Sequence, residues 1–405
     1  MSSPRTAPPR YLPLLLVAYG ISAMVVTDLY LPSMPLLARV FDTTDAQVQW
    51  TLTIYMGGFA GAQLIYGPLS DRFGRRPVLL WGGVAFLAAT LLCGTARSIE
   101  TLILARLAQG VAIASLFVTS KALIRELYDD ATVVRVTAQI SMVESLAPAL
   151  GPIIGAEILA LLGWRWNFFS VAILASATLA ALFLVLPESN RRLNRDALRI
   201  GPILATYAQI LRMRRFMAYV LPAGMIFGGL MVYLTSGSFL LIEERGLTPR
   251  QFAFAQGSTV ACYFAGLMTT SRIVGRSGSL LLIRGGLIAV FLGGGAMAAL
   301  GLAGIETAWA VIAPFAIFAF GIGLSVPPMM TMALSADGAL VGALASLLGA
   351  IVMSCAFAGS LLANLIYDGT ALSVAIPLGV MSTGAFLIYA GLAPRPDAAS
   401  RPSEA

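Results

Sequence analysis

The chain has 405 residues, 58% of them hydrophobic and only 11% charged, with a mean hydropathy of +0.86 and a formal net charge of +7. A soluble domain carries roughly 25% charged residues, so a soluble fold of this length has nowhere to hide so much apolar surface. There is no histidine, which removes the commonest metal ligand and neutral-pH general base, and no Gly-Lys-Ser/Thr loop, which argues against nucleotide hydrolysis.

Residues Met1 to Arg10 are polar and read as a disordered tail. Apolar stretches follow near 11–33, 47–67, 77–96, 101–122, 136–159 and 166–186, then near 217–242, 251–271, 280–302, 308–332, 340–364 and 371–393. Each is long enough to cross a bilayer as a helix, and none alternates in the manner of a barrel strand. The first run is too long for a signal h-region and has no cleavage site. Twelve spans put both termini on one side. The loops on that side hold most of the 26 Lys and Arg, whereas the opposite loops hold only Arg39, Arg97, Arg165, Arg245 and Arg250. This bias predicts cytoplasmic termini and explains the basic charge without nucleic acid. Cys93, Cys262 and Cys355 sit inside apolar runs and read as small core residues rather than disulfide or metal ligands.

The longest polar connection divides the spans six and six. The expected organisation is an N-terminal tail over 1–10, a first bundle over 11–186, a linker over 187–216, a second bundle over 217–393 and a tail over 394–405. Within the linker, Ile200 to Arg215 predicts an amphipathic surface helix with Ile203, Leu204 and Leu211 on its apolar face. A faint repeat relates the halves. The loop after the second span reads Ser70-Asp71-Arg72-Phe73-Gly74-Arg75-Arg76, and the loop after the eighth reads Thr270-Ser271-Arg272-Ile273-Val274-Gly275-Arg276. Duplicated halves around a central site are a transporter architecture.

Three charged residues fall inside spans, where charge is costly and marks a pathway or a partner. Asp28 and Arg106 lie at matching depth near the same membrane face, so they are expected to pair or to share a cavity. Glu144, in the fifth span, shares a helical face with Pro148, Gly151 and Pro152. Either acid is a candidate for the exchanged proton. With Gly155, the last three form a kinked, flat-faced helix that reads as a pivot or as plain helix packing. Tyr30, Tyr55, Gln63 and Tyr233 are candidates to line a cavity, against the ordinary alternative of packing neighbours.

Four motifs carry a resemblance. Gly67-Pro68-Leu69-Ser70-Asp71-Arg72-Phe73-Gly74-Arg75-Arg76 resembles the cytoplasmic signature loop of the major facilitator superfamily. Thr27-Asp28-Leu29-Tyr30-Leu31-Pro32 with Arg106-Leu107-Ala108-Gln109-Gly110, and Ala147-Pro148-Ala149-Leu150-Gly151-Pro152 with Gly155, resemble the bicyclomycin and chloramphenicol/florfenicol exporters of that superfamily. The similarity is strong from about residue 11 to 190.

The resemblance implies an all-α membrane protein of twelve transmembrane helices in two pseudo-symmetric six-helix bundles, in a bacterial cytoplasmic membrane. It implies a proton-coupled, cofactor-free antiporter of drug-like molecules, acting as a monomer on a small-molecule substrate and protons. It also implies that Asp71 meets the start of the eleventh span near Gly338 to Gly342 and that Arg106 bonds carbonyls around Pro152. Arg72, Arg75 and Arg76 are expected to pair with Glu126, Asp129 or Asp130, as a gate or as topology signals only. A metabolite carrier of the same superfamily is the alternative. A membrane-embedded enzyme is disfavoured because no nucleophile–base set or metal cluster is evident in the sequence.

Overall fold

The structure, a computed structural model, describes residues 12–190, 193, 197, 200–337 and 340–393. The two tails and Gly338 lie outside the described residues, as do the side chains of Glu144 and its neighbours 140–145. Thirteen helices are described. They are α1 (Leu12–Asp28), α2 (Met34–Val40), α3 (Asp45–Phe73), α4 (Arg75–Thr95), α5 (Ile99–Leu127), α6 (Asp130–Leu162) and α7 (Arg165–Val185). After the linker come α8 (Ile200–Leu211), α9 (Arg214–Phe239), α10 (Pro249–Leu302), α11 (Ala308–Leu334), α12 (Val341–Ile366) and α13 (Ala371–Leu392). The 54-residue α10 holds the eighth and ninth predicted spans, separated by a break at Gly278, whose φ of 74° a side chain would resist. Among the described residues, eleven of the predicted spans fall on helix, and the first is interrupted.

Among the described residues, nine helices are long and apolar enough to cross a membrane. Helix α3 is not one of them, although it lies in the middle of the molecule. It carries Gln49, Thr51, Thr53 and Gln63, all buried against other helices. A helix shielded by protein can carry amides and hydroxyls that a lipid-facing helix cannot. Trp81, Leu104, Ile173 and Leu184, by contrast, point outward on helices at the periphery.

The first span departs from the expected continuous helix. Helix α1 stops at Asp28, the chain turns through Leu29 and Tyr30, and a 3₁₀ turn over Leu31–Ser33 leads into α2. Pro32 and Pro35 cause this, since neither supplies the amide that would continue the ladder. Asn167 of α7 fixes the turn by donating to the Ser33 hydroxyl at 2.7 Å.

The first bundle comprises α1 to α7 and the second α9 to α13. They meet mainly where α3 packs on α12 and α6 on α10. At the end of the molecule that carries α2, five helices begin on a Ser or Thr cap: Thr44, Ser98, Thr248, Thr307 and Thr370 each accept a backbone N–H of the first turn. The predicted linker helix is α8. It packs on α9 and α12, burying Ile210, while Leu204 and Leu211 face outward as an interfacial apolar face does.

Candidate functional site

The centre of the first bundle is organised around Arg106. The residue is fully buried on α5, and its guanidinium lies between two aromatic rings, 4.4 Å from the centroid of Tyr55 and 5.0 Å from that of Tyr30. Its Nε donates to the Thr51 carbonyl at 3.4 Å and its Nη1 to Gln109 Oε1 at 2.6 Å. Gln109 in turn donates to the Thr90 hydroxyl at 2.8 Å. Ring faces, a carbonyl and an amide thus replace water around the cation, with the buried Nη2 left without a hydrogen-bond partner.

This arrangement explains the Arg106-x-x-Gln109-Gly110 motif one helical turn at a time. Arg106 and Gln109 face the same way, and Gly110 lets α3 approach, because a Cβ there would overlap the Tyr55 carbonyl oxygen. The expected bond from Arg106 to carbonyls around Pro152 is not among the described bonds, which go to Thr51 and Gln109. Thr51 takes that place because α3, not α6, lies against this face of α5.

Asp28 is also buried, at the point where α1 ends. No described ion pair includes it. Of the two expected arrangements with Arg106, direct pairing is absent among the described ion pairs, and the guanidinium lies over the Tyr55 and Tyr30 rings instead. What Asp28 does touch is α6. A Cβ on Gly151 would overlap the Asp28 Cβ, and one on Gly155 would overlap the Leu29 carbonyl oxygen. The glycine face of α6 therefore seats the broken stretch of α1, with Pro152 buried and Pro148 half-buried on the same helix. Glu144 belongs to α6, but its side chain lies outside the described residues.

The candidate cavity residues pack rather than line open space. Tyr30 is occluded by Arg106, Phe168 and its 2.7 Å bond to the Thr51 hydroxyl. Tyr233 stacks on Phe315 at 3.6 Å between centroids, and its buried hydroxyl has no partner. Gln63 contacts Gly349 across the bundle interface.

At the opposite end, the signature loop turns at Gly74, where φ is 99°. Arg75 pairs with Asp71 at 2.6 Å and with Glu126 at 2.9 Å, which was one of the expected acids. Arg76 donates to the Phe183 carbonyl at 3.0 Å, and Arg72 lies over the Phe73 ring. Gly67 sits 3.9 Å, measured from its would-be Cβ, from Ser346 of α12.

Sequence reasoning missed Glu188. Its carboxylate accepts the Arg75 and Arg76 amides at 2.9 and 3.1 Å and so caps α4 from the linker. Asn190 adds a bond to the Asp71 carbonyl at 3.2 Å. The described bonds of this loop remain within the first bundle and the linker, and no sequence spacing pointed to those of Glu188 and Asn190.

Two helical bundles meeting along α3/α12 and α6/α10, with buried charges beside a broken helix, define a membrane carrier rather than an enzyme. The pattern of the Major Facilitator Superfamily matches residues 15–363. The chain belongs to that superfamily. It is 32% identical over 268 residues to a bicyclomycin resistance protein homolog from Haemophilus influenzae, covering 66% of this chain and 67% of the relative. It is 28% identical to the multidrug transporter MdfA of Yersinia pestis, covering 88% of this chain and 87% of that one. Among solved structures, a D-xylose–proton symporter superposes with a TM-score of 0.76 at 14% identity, over 95% of this chain and 97% of the symporter, a likeness of fold alone.

Proposed function

We propose that this transporter exports small drug-like molecules across the bacterial cytoplasmic membrane in exchange for protons, by alternating access and without a cofactor. Both termini and the signature loop face the cytoplasm, in keeping with the excess of arginine on that side. The resistance and multidrug relatives support the substrate class.

The observation that carries the mechanism is Asp28. It is buried, ends a broken helix, has no described cationic partner and rests on the glycine face of α6. A carboxylate held inside a span without a neutralising partner is suited to take and release a proton. Because α1 ends at Asp28 and the chain leaves the regular helix just after it, a movement of α6 can change the exposure of Asp28 by bending the chain at this break. Arg106, tied into α3 and α5, fixes the local field rather than carrying the proton.

Proton release from purified protein on addition of chloramphenicol, bicyclomycin or a cationic dye tests this. Wild type releases protons near neutral pH with at least one of the three. Asp28→Asn releases none and loses export driven by a pH gradient. Release that persists in Asp28→Asn but vanishes in Glu144→Gln moves the coupling site to α6. Release that persists in both removes these two acids from the mechanism.

A further inference from the structure

We propose that the α2 end of the molecule is held shut by a two-layer seam: a rim of two interbundle ion pairs of opposite polarity, Arg39–Glu243 and Glu157–Arg250, over a buried chain of hydroxyl and amide hydrogen bonds. This rests on the alternating-access reading above. Arg39 lies in α2 and Glu243 in the π turn, Leu240–Glu244, that follows α9. Glu157 lies near the end of α6 and pairs at 2.6 Å with Arg250 in the first turn of α10. Each pair joins one bundle to the other.

Beneath the rim, Ser360 of α12 bridges Thr53 of the first bundle at 2.7 Å and Thr235 of the second at 2.8 Å. Ser236 donates to Gln49 at 3.4 Å, and Asn364 donates to the Ala46 carbonyl at 2.6 Å. The described side-chain bonds between the bundles all belong to this end of the molecule.

The polarity sets the register. The first bundle contributes a cation on α2 and an anion on α6, and the second contributes their complements. Only one relative placement satisfies both pairs, and exchanging the two contacts would set like charges together. The seam is also built to open. Side-chain exposures of 72% for Arg39 and 60% for Arg250 keep each pair weak, about 2–5-fold in equilibrium. The buried Gln49 Nε2 has no partner in the closed seam, a donor that hydration on opening would satisfy. Weak, paired contacts suit an equilibrium that must cross in both directions each cycle.

The test is hydrogen–deuterium exchange of the full chain in lipid nanodiscs, followed over residues 45–53 and 236–244. Removing Arg39 alone leaves Glu243 beside Asp45 and Glu244, so repulsion among those acids would inflate the effect. A charge swap controls for this. In Glu243→Gln/Arg250→Gln, which breaks both pairs without leaving Glu243 among the acids, exchange at these segments rises about 4–25-fold, the product of two weak pairs. Arg39→Glu alone accelerates it, and adding Glu243→Arg returns it to within about two-fold of wild type. Unchanged exchange in the double variant, or no recovery on swapping, overturns the clamp. Wild-type exchange that chloramphenicol leaves unaltered, with the variants behaving as stated, supports the clamp and counts against the export reading instead.

Discussion

The two six-helix bundles keep their polar chemistry in different places. The first buries Asp28 and Arg106 and commits Thr51, Thr90 and Gln109 to holding the guanidinium. The second buries no charged residue among those described. Its interior is a stack of Tyr233, Phe315 and Phe318 beside hydroxyls such as Thr235, Ser236 and Ser382. One bundle is electrostatically constrained and the other is greasy and adaptable. The difference teaches that duplication of a fold does not duplicate its chemistry. In the proposed cycle the proton is handled in the first bundle, while the packed aromatic stack of the second holds no buried charge among the described residues.

Substitutions at three positions put that contrast under strain. The largest stability effect is expected at Arg106. Arg106→Ala removes a fully buried side chain, opens a cavity between Tyr30 and Tyr55 and strands the Gln109 amide oxygen, at a cost of about 3–5 kcal/mol. Arg106→Lys recovers only part, since an ammonium cannot reproduce the flat contact with both rings. The measurement is the thermal unfolding midpoint by intrinsic tryptophan fluorescence. An unchanged midpoint in Arg106→Ala would show that the network merely accommodates the charge.

A smaller loss is expected at the linker. Glu188→Ala leaves the first amides of α4 without their acceptor, at about 1 kcal/mol, the usual worth of a helix cap. Its readout is faster limited proteolysis after Asn190, and a cleavage rate equal to wild type would remove Glu188 from the loop's support. The smallest effect belongs to the second bundle. Tyr233→Phe deletes a buried hydroxyl that has no partner and keeps the ring stacked on Phe315, so stability shifts by less than about 0.5 kcal/mol. If Tyr233→Phe proves as costly as Arg106→Ala, the contrast between the bundles fails.

Hydropathy sufficed for the spans because lipid demands twenty apolar residues wherever a helix faces it. It was weakest at α3, whose Gln and Thr residues are legible as a span only once protein is known to surround them. The proline pair Pro32 and Pro35 announced the break that leaves Asp28 at a helix end, yet the first span still read as one continuous run, since hydropathy does not register a missing backbone bond. Arg106 stood out as a charge in a span, but one of its two acceptors, the Thr51 carbonyl, is a backbone atom 55 positions away and leaves no trace in residue type. Glu188 escaped for the opposite reason: an acid in a polar loop is unremarkable until the fold brings it to the end of α4.

The Glu188 cap also decides where this chain can be divided. Glu188, Ser189 and Asn190 bond to the first bundle, through Arg75, Glu126 and Asp71, whereas α8 packs on α9 and α12 of the second. When the two halves are expressed as separate polypeptides, a cut between 191 and 199 should leave each fragment with its own stabilising contacts and let them reassemble into a working pair. A cut before Pro187 hands the cap of α4 to the wrong fragment. That pair should assemble poorly, though it differs by only a few residues.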